Sequence, residues 1–236
     1  GASDVVIASG SARVFERVAA TSPAQASGSA VLVAEHIELP AAGTYRIELN
    51  DFAFPATAAS ADLYVVQGGA PLARLTGPGS VDVNAAAGPL ALLLDAAPNT
   101  ATRSSLLGTR VLQAPANATV ADSTLALGIL LQSRAIEIPA GGSYDLTVAD
   151  LGFPATLADL ALAVTRGGER VAAIYGSGSV RFNTTAGRYS LNLLARTTDA
   201  RGFGAYALSL DATPPPPVVT LTADPARVRQ GSTAQL

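Results

Sequence analysis

Residues 37 to 94 align without a gap onto residues 136 to 193, an offset of 99, and nearly half the aligned positions are identical. The first copy opens IELPAAGTYRIELNDFAFPAT and the second IEIPAGGSYDLTVADLGFPAT. A period near one hundred residues is too long for a solenoid and has the size of a domain. The chain therefore reads as one unit written twice. The match resumes past a small gap, with Gly108 against Gly204 and Leu112 against Leu208. Gly10 to Phe15 (GSARVF) is similar to Leu107 to Leu112 (LGTRVL), so each unit is expected to open on that strand.

Within each unit the apolar residues alternate. Tyr45, Ile47 and Leu49 take every second position, as do Tyr144, Leu146 and Val148. The same holds for Leu90, Leu92 and Leu94 against Tyr189, Leu191 and Leu193. Period-two alternation means strands with one buried and one wet face. Gly-Gly and Gly-x-Gly-Ser punctuation supplies hairpin turns. About seven such runs per unit predict an all-β fold of two tandem β-sandwiches, jelly-roll-like. Only the stretches after Phe-Pro-Ala-Thr (Ala58 to Asp62, Leu157 to Leu160) leave room for a short helical turn. The expected division is repeat one at 1–106, repeat two at 107–213, a polyproline linker at 214–217, and a further β domain beginning at 218–236 and cut short. The chain is expected to be a fragment of a larger polypeptide.

Of 236 residues, 22 are Gly and 15 Pro, with one His and no Cys, Met or Trp. All 15 basic residues are Arg, and the net charge is -3. Without Cys there is no disulfide framework or thiolate metal site. Scattered, mildly acidic charge argues against nucleic acid as a partner. The longest apolar run, Ala85 to Leu94, is half of what a membrane-crossing helix needs, so no membrane insertion is expected. An Ala- and Arg-rich, Lys-free chain without thiols fits a bacterial secreted, periplasmic or cell-surface address.

Pro40-Ala41-Ala42-Gly43-Thr44-Tyr45-Arg46-Ile47-Glu48-Leu49 and Asp62-Leu63-Tyr64-Val65-Val66, with their second-copy matches, resemble the pre-peptidase C-terminal modules of bacterial secreted proteins. The resemblance implies small β-sandwiches attached to exported proteins. The family's acidic stretch is reduced to Asp62, with Ala161 opposite it in the second copy. The segment VVTLTADPARVRQGSTAQL, after four prolines, is similar to the opening of a bacterial Ig-like domain.

Asp51 and Asp150 recur at the end of the Tyr strand, ahead of Phe-Pro-Ala-Thr. They are candidate calcium ligands, the only metal residues the pattern offers; because no second acidic residue recurs beside both, turn caps are the favoured reading. Asn84 and Asn183 read as strand-end turn residues. His36, the only candidate for a triad base, falls on the wet face and is Ala135 in the second copy. The carboxylate pairs Glu38 with Glu48, and Glu137 with Asp145, are the candidates for glycoside hydrolysis. No elbow, phosphate loop or metal spacing accompanies any of them. Tyr45, Tyr144, Phe54 and Phe153 read as core.

The expected role is a non-catalytic structural or interaction module of an exported bacterial protein, not an enzyme. A carbohydrate- or calcium-assisted ligand-binding module is the alternative, and an accessory domain of a secreted hydrolase the second. Partners are expected among neighbouring domains of the same polypeptide, or an extracellular glycan or protein. The chain is expected as a monomer or weakly self-associating.

Overall fold

A computed structural model describes residues 5–6, 12–19, 31–128, 131–197 and 203–213. Two strands come first, β1 (Val5–Val6) and β2 (Ala12–Ala19). The first sandwich follows as β3 (Val31–Leu39), β4 (Gly43–Asp51), β5 (Ser60–Gln67), β6 (Ala70–Thr76), β7 (Gly79–Ala85), β8 (Gly88–Ala97), β9 (Ser104–Gln113) and β10 (Ala118–Gly128). The second contributes β11 (Leu131–Ile138), β12 (Gly142–Asp150), β13 (Leu157–Arg166), β14 (Glu169–Tyr175), β15 (Gly178–Thr184), β16 (Gly187–Thr197) and β17 (Phe203–Ala212). The all-β, two-sandwich architecture matches the alternation in the sequence.

In the first sandwich the sheet β3-β8-β5-β6 faces the sheet β10-β9-β4-β7. In the second, β11-β16-β13-β14, with β1 added at its edge, faces β15-β12-β17-β2. Each core is made by the inward residues of both sheets. Tyr45, Ile47, Leu49, Leu63, Val65, Leu90 and Leu92 form the first. Tyr144, Leu146, Val148, Leu162, Val164, Tyr189 and Leu191 form the second. Both tyrosines are buried, and each donates its hydroxyl to a carbonyl at the strand entry, Tyr45 to Ala41 (2.6 Å) and Tyr144 to Ala140 (2.8 Å).

Four expectations change. The boundary at 106/107 does not follow the sheets. Residues 104–113 pair with β4 and β10, so they complete the first sandwich. The strand carrying GSARVF does not open the first unit but pairs antiparallel with β17, Val14 opposite Leu208. It takes the place in the second sandwich that β10 takes in the first, so that each sandwich has eight matched strands, with β1 an additional edge strand of the second.

The gap between the copies also closes. Phe52 N bonds Leu106 O as Leu151 N bonds Ala205 O, and Ala114 N bonds Thr44 O as Thr213 N bonds Ser143 O. The offset of 99 thus holds to the end of β17, and Gly108 corresponds to Ala207 rather than Gly204. Hydrogen-bond register, not residue identity, sets the equivalence.

The stretches after Phe-Pro-Ala-Thr are extended, with β5 starting at Ser60 and β13 at Leu157. Their backbone groups pair with β8 and β16, which leaves none for a helical turn. The expected linker and further domain, 214–236, lie outside the described residues.

Candidate functional site

The two sandwiches meet face to face. The outer face of β9, with the loop after β4, packs on the outer face of β13, β14 and β16. Phe52, Phe54 and Leu106 from the first sandwich bury against Ala161, Ala163 and Leu194 from the second. Small residues on β13 make room for the phenylalanines. The Phe54 ring lies 5.8 Å from that of Tyr175. The approach is close enough to require glycine on both sides. A Cβ on Gly108 would meet Phe52 Cζ at 2.5 Å and Gly168 O at 2.9 Å, and one on Gly168 would meet Arg110 Cγ at 2.5 Å.

Polar groups rim this contact. Arg170 donates to Phe52 O (2.6 Å), Tyr175 to Ala53 O (3.3 Å) and Asn50 to Gly168 O (3.3 Å). Arg110 reaches Glu169 at 2.6 Å and Glu48 at 3.6 Å, while its Nε is buried without a hydrogen-bond partner. These groups line an open groove of about 590 Å³ bounded by Glu48, Asn50, Asp51, Arg110, Glu169 and Arg170. Deeper in the contact, Asn192 is fully buried on β16, accepting from Ser133 (2.7 Å) and donating to Thr165 (3.1 Å).

Asp51 and Asp150 act as loop caps. Asp51 accepts from Ala53 N through one oxygen and Ala58 N through the other, both at 2.8 Å. Asp150 does the same with Gly152 N and Leu157 N, both at 2.8 Å. The identical bonding explains why the residue recurs. Among the described residues no group of three His, Cys, Asp or Glu converges on a common point. Asn84 accepts from Thr44 at 2.8 Å across β4 and β7.

The carboxylate pairs are not brought together. Glu38 and Glu48 sit on the outer faces of opposed sheets, with the core between them, and so do Glu137 and Asp145. Glu48 faces Arg110 instead. Asp145 is held below the usual carboxylate range, first by the hydrogen bonds from Arg181 (2.7 and 2.9 Å) and then by that of Thr213. His36 is exposed on the outer face of β3, opposite Ala91.

Two features escape the sequence pattern. Glu35 sits at an inward position of β3 and accepts from Thr109 (2.9 Å) and Ser123 (2.5 Å), closing the open side of the first sandwich. Its counterpart is Arg134. Beyond that position, burial raises the Tyr206 hydroxyl above the ordinary tyrosine value, partly offset by the charge of Arg134. The second feature is Phe153. Expected in the core, it is 72% exposed, and Leu151 is 47% exposed. Nothing described in the structure stands over them as the second sandwich stands over Phe52 and Phe54.

No family model matches the chain, and no curated protein matches it. Among solved structures it is similar to the CUB1-EGF-CUB2 domain of human MASP-1/3, with 9% sequence identity and a TM-score of 0.24. The match covers 84% of this chain and 99% of that one.

Proposed function

We propose that this chain is a non-catalytic structural and interaction module of an exported bacterial surface or secreted protein. The observation that carries the reading is the junction. Phe54, buried at 0% exposure between two sandwiches and rimmed by Arg170, Tyr175 and Arg110, packs one against the other. A spacer needs this: a fixed distance and direction between what lies at either end. Of the catalytic candidates, Glu48 faces Arg110 and Asp145 pairs with Arg181, while the metal candidates Asp51 and Asp150 cap their loops. The absence of cysteine suits a thiol-oxidising compartment.

The test uses that absence. Spin labels on Thr76→Cys and Asn183→Cys, one in each sandwich, should give a single narrow distance distribution that broadens in the Phe54→Ala background. A broad distribution in the parent would show a hinge and sink the spacer reading.

The polar groove beside Arg110 favours one second reading, a saccharide-binding module. A glycan array run with and without EDTA, repeated on Glu169→Ala, separates the two. Retention of a defined glycan that Glu169→Ala abolishes would favour the groove.

A further inference from the structure

The junction pairs two kinds of surface. One is an aromatic loop, Phe52 to Phe54. The other is a sheet face of small residues, Ala161 and Ala163 with Ala173 beside them. Both kinds recur together on the outer face of β12 and β17. There the loop is Leu151 to Phe153, 47% and 72% exposed. The small residues beside it are Ala149, Ala205 and Ala207, each only half-buried. Ala149 lies opposite Ala207 in the ladder, and Leu151 N bonds Ala205 O, so loop and alanines form one continuous patch.

A face carrying both halves of a contact is self-complementary, the property an isologous two-fold interface requires. The other free sheet face, on β3, β8, β5 and β6, lacks the small-residue half. At the positions matching Ala161, Ala163 and Leu194 it carries Asp62, Tyr64 and Asp95, with Arg74 bonded to Asp62 (2.7 Å) and stacked over Tyr64 (4.8 Å to the ring centre). Phe153 seated there would desolvate carboxylates.

We infer that a second copy of this chain docks on the patch formed by Leu151, Phe153, Ala149, Ala205 and Ala207, giving a two-fold dimer. Phe153 of each copy covers the alanines of the other, as Phe54 covers Ala161 and Ala163 within one chain. Among the described residues the contact has no counterparts of the Arg170 and Tyr175 clamps, and it is expected to be weaker than the internal junction. This deepens the interaction-module reading. A strictly monomeric chain would leave the spacer reading standing, because that rests on the rigidity of the junction.

Sedimentation of the full chain over rising concentration tests it. The parent should pass from monomer to dimer and stop there. Phe153→Asp and Ala207→Arg should each weaken dimerisation by about tenfold or more, since each copy loses its anchor or its flat face. Both sites are accessible, and unchanged circular dichroism and melting confirm the fold. Leu32→Asp, 71% exposed on β3 of the other free face, should leave dimerisation unchanged. A parent that stays monomeric at about 1 mM overturns the inference. So do Phe153→Asp and Ala207→Arg variants that dimerise as the parent does. Loss of association in Leu32→Asp, or growth beyond a dimer, overturns it in favour of a head-to-tail contact.

Discussion

The loops at 52–58 and 151–157 share Phe-Pro-Ala-Thr and the same carboxylate cap, with four bonds of 2.8 Å between them. Yet Phe54 is wholly buried and Phe153 is 72% exposed. Local sequence builds the loop. What stands opposite decides whether its phenylalanine is core or surface. A duplication copies the first and not the second, because the junction is asymmetric: one copy lends its loop and the other its alanines.

The comparison breaks most visibly at the phenylalanines. Phe54→Ala should cost about 3–5 kcal/mol in denaturant unfolding, the range for a buried aromatic. Phe153→Ala in the monomer should stay within about 0.5 kcal/mol, as surface changes do. Equal losses would mean that the two loops share one environment.

Next come the strand positions beneath them. Gly108→Ala should cost about 1–3 kcal/mol, because its Cβ meets Phe52 Cζ at 2.5 Å and the Gly168 carbonyl at 2.9 Å. The matched Ala207 already carries a Cβ, and Ala207→Gly should cost about 0.5–1 kcal/mol, through strand entropy alone. Melting temperatures of the two variants decide this.

The caps should behave alike. Asp51→Ala and Asp150→Ala should each lose about 1–2 kcal/mol, the range for a carboxylate capping backbone N–H groups. EDTA should change neither melting curve. A calcium-dependent shift that disappears in either variant would restore the metal reading of this pair.

A smaller difference lies between the caps and the phenylalanines. Ala53 has φ 49° where Gly152 has φ 62°. This left-handed region penalises a Cβ. Ala53→Gly should therefore gain stability or hold it level, while Gly152→Ala should lose about 1 kcal/mol, read by chemical denaturation.

The smallest effect concerns pH. Leu107 of the first copy corresponds to Tyr206 of the second, whose hydroxyl is raised by burial. A raised folded value means that stability is complete below the ordinary tyrosine value, about 10, and falls as pH climbs through the folded one. Alkaline melts of Tyr206→Phe should show a shallower fall than the parent.

Much of the fold was legible. Period-two alternation marks a half-buried strand, and Tyr45-Ile47-Leu49 announces both strand and inner face. Asp51 was legible as a cap because Asp recurs ahead of the same tetrapeptide. The partner of β2 was not. Sheet edges join through backbone bonds that carry little sequence information, and GSARVF looks as much like LGTRVL as like an edge strand. Glu35 was also hidden. Alternation assigns it inward, but Thr109 and Ser123, which satisfy it there, are 74 and 88 residues away. The groove was illegible for the same reason, since Arg110 and Glu169 come from different copies.

The pairing of β2 with β17 sets an order of events during synthesis. Residues 12–19 leave the ribosome well before their partner, 203–212. The first sandwich, contiguous from 31 to 128, can close in the meantime, because all its ladders are then available. β2 thus waits while the whole of the first sandwich and most of the second are made. Until it is placed, the edge of β17 stays unpaired, so deleting residues 12–19 damages the distant second sandwich rather than the neighbouring first one.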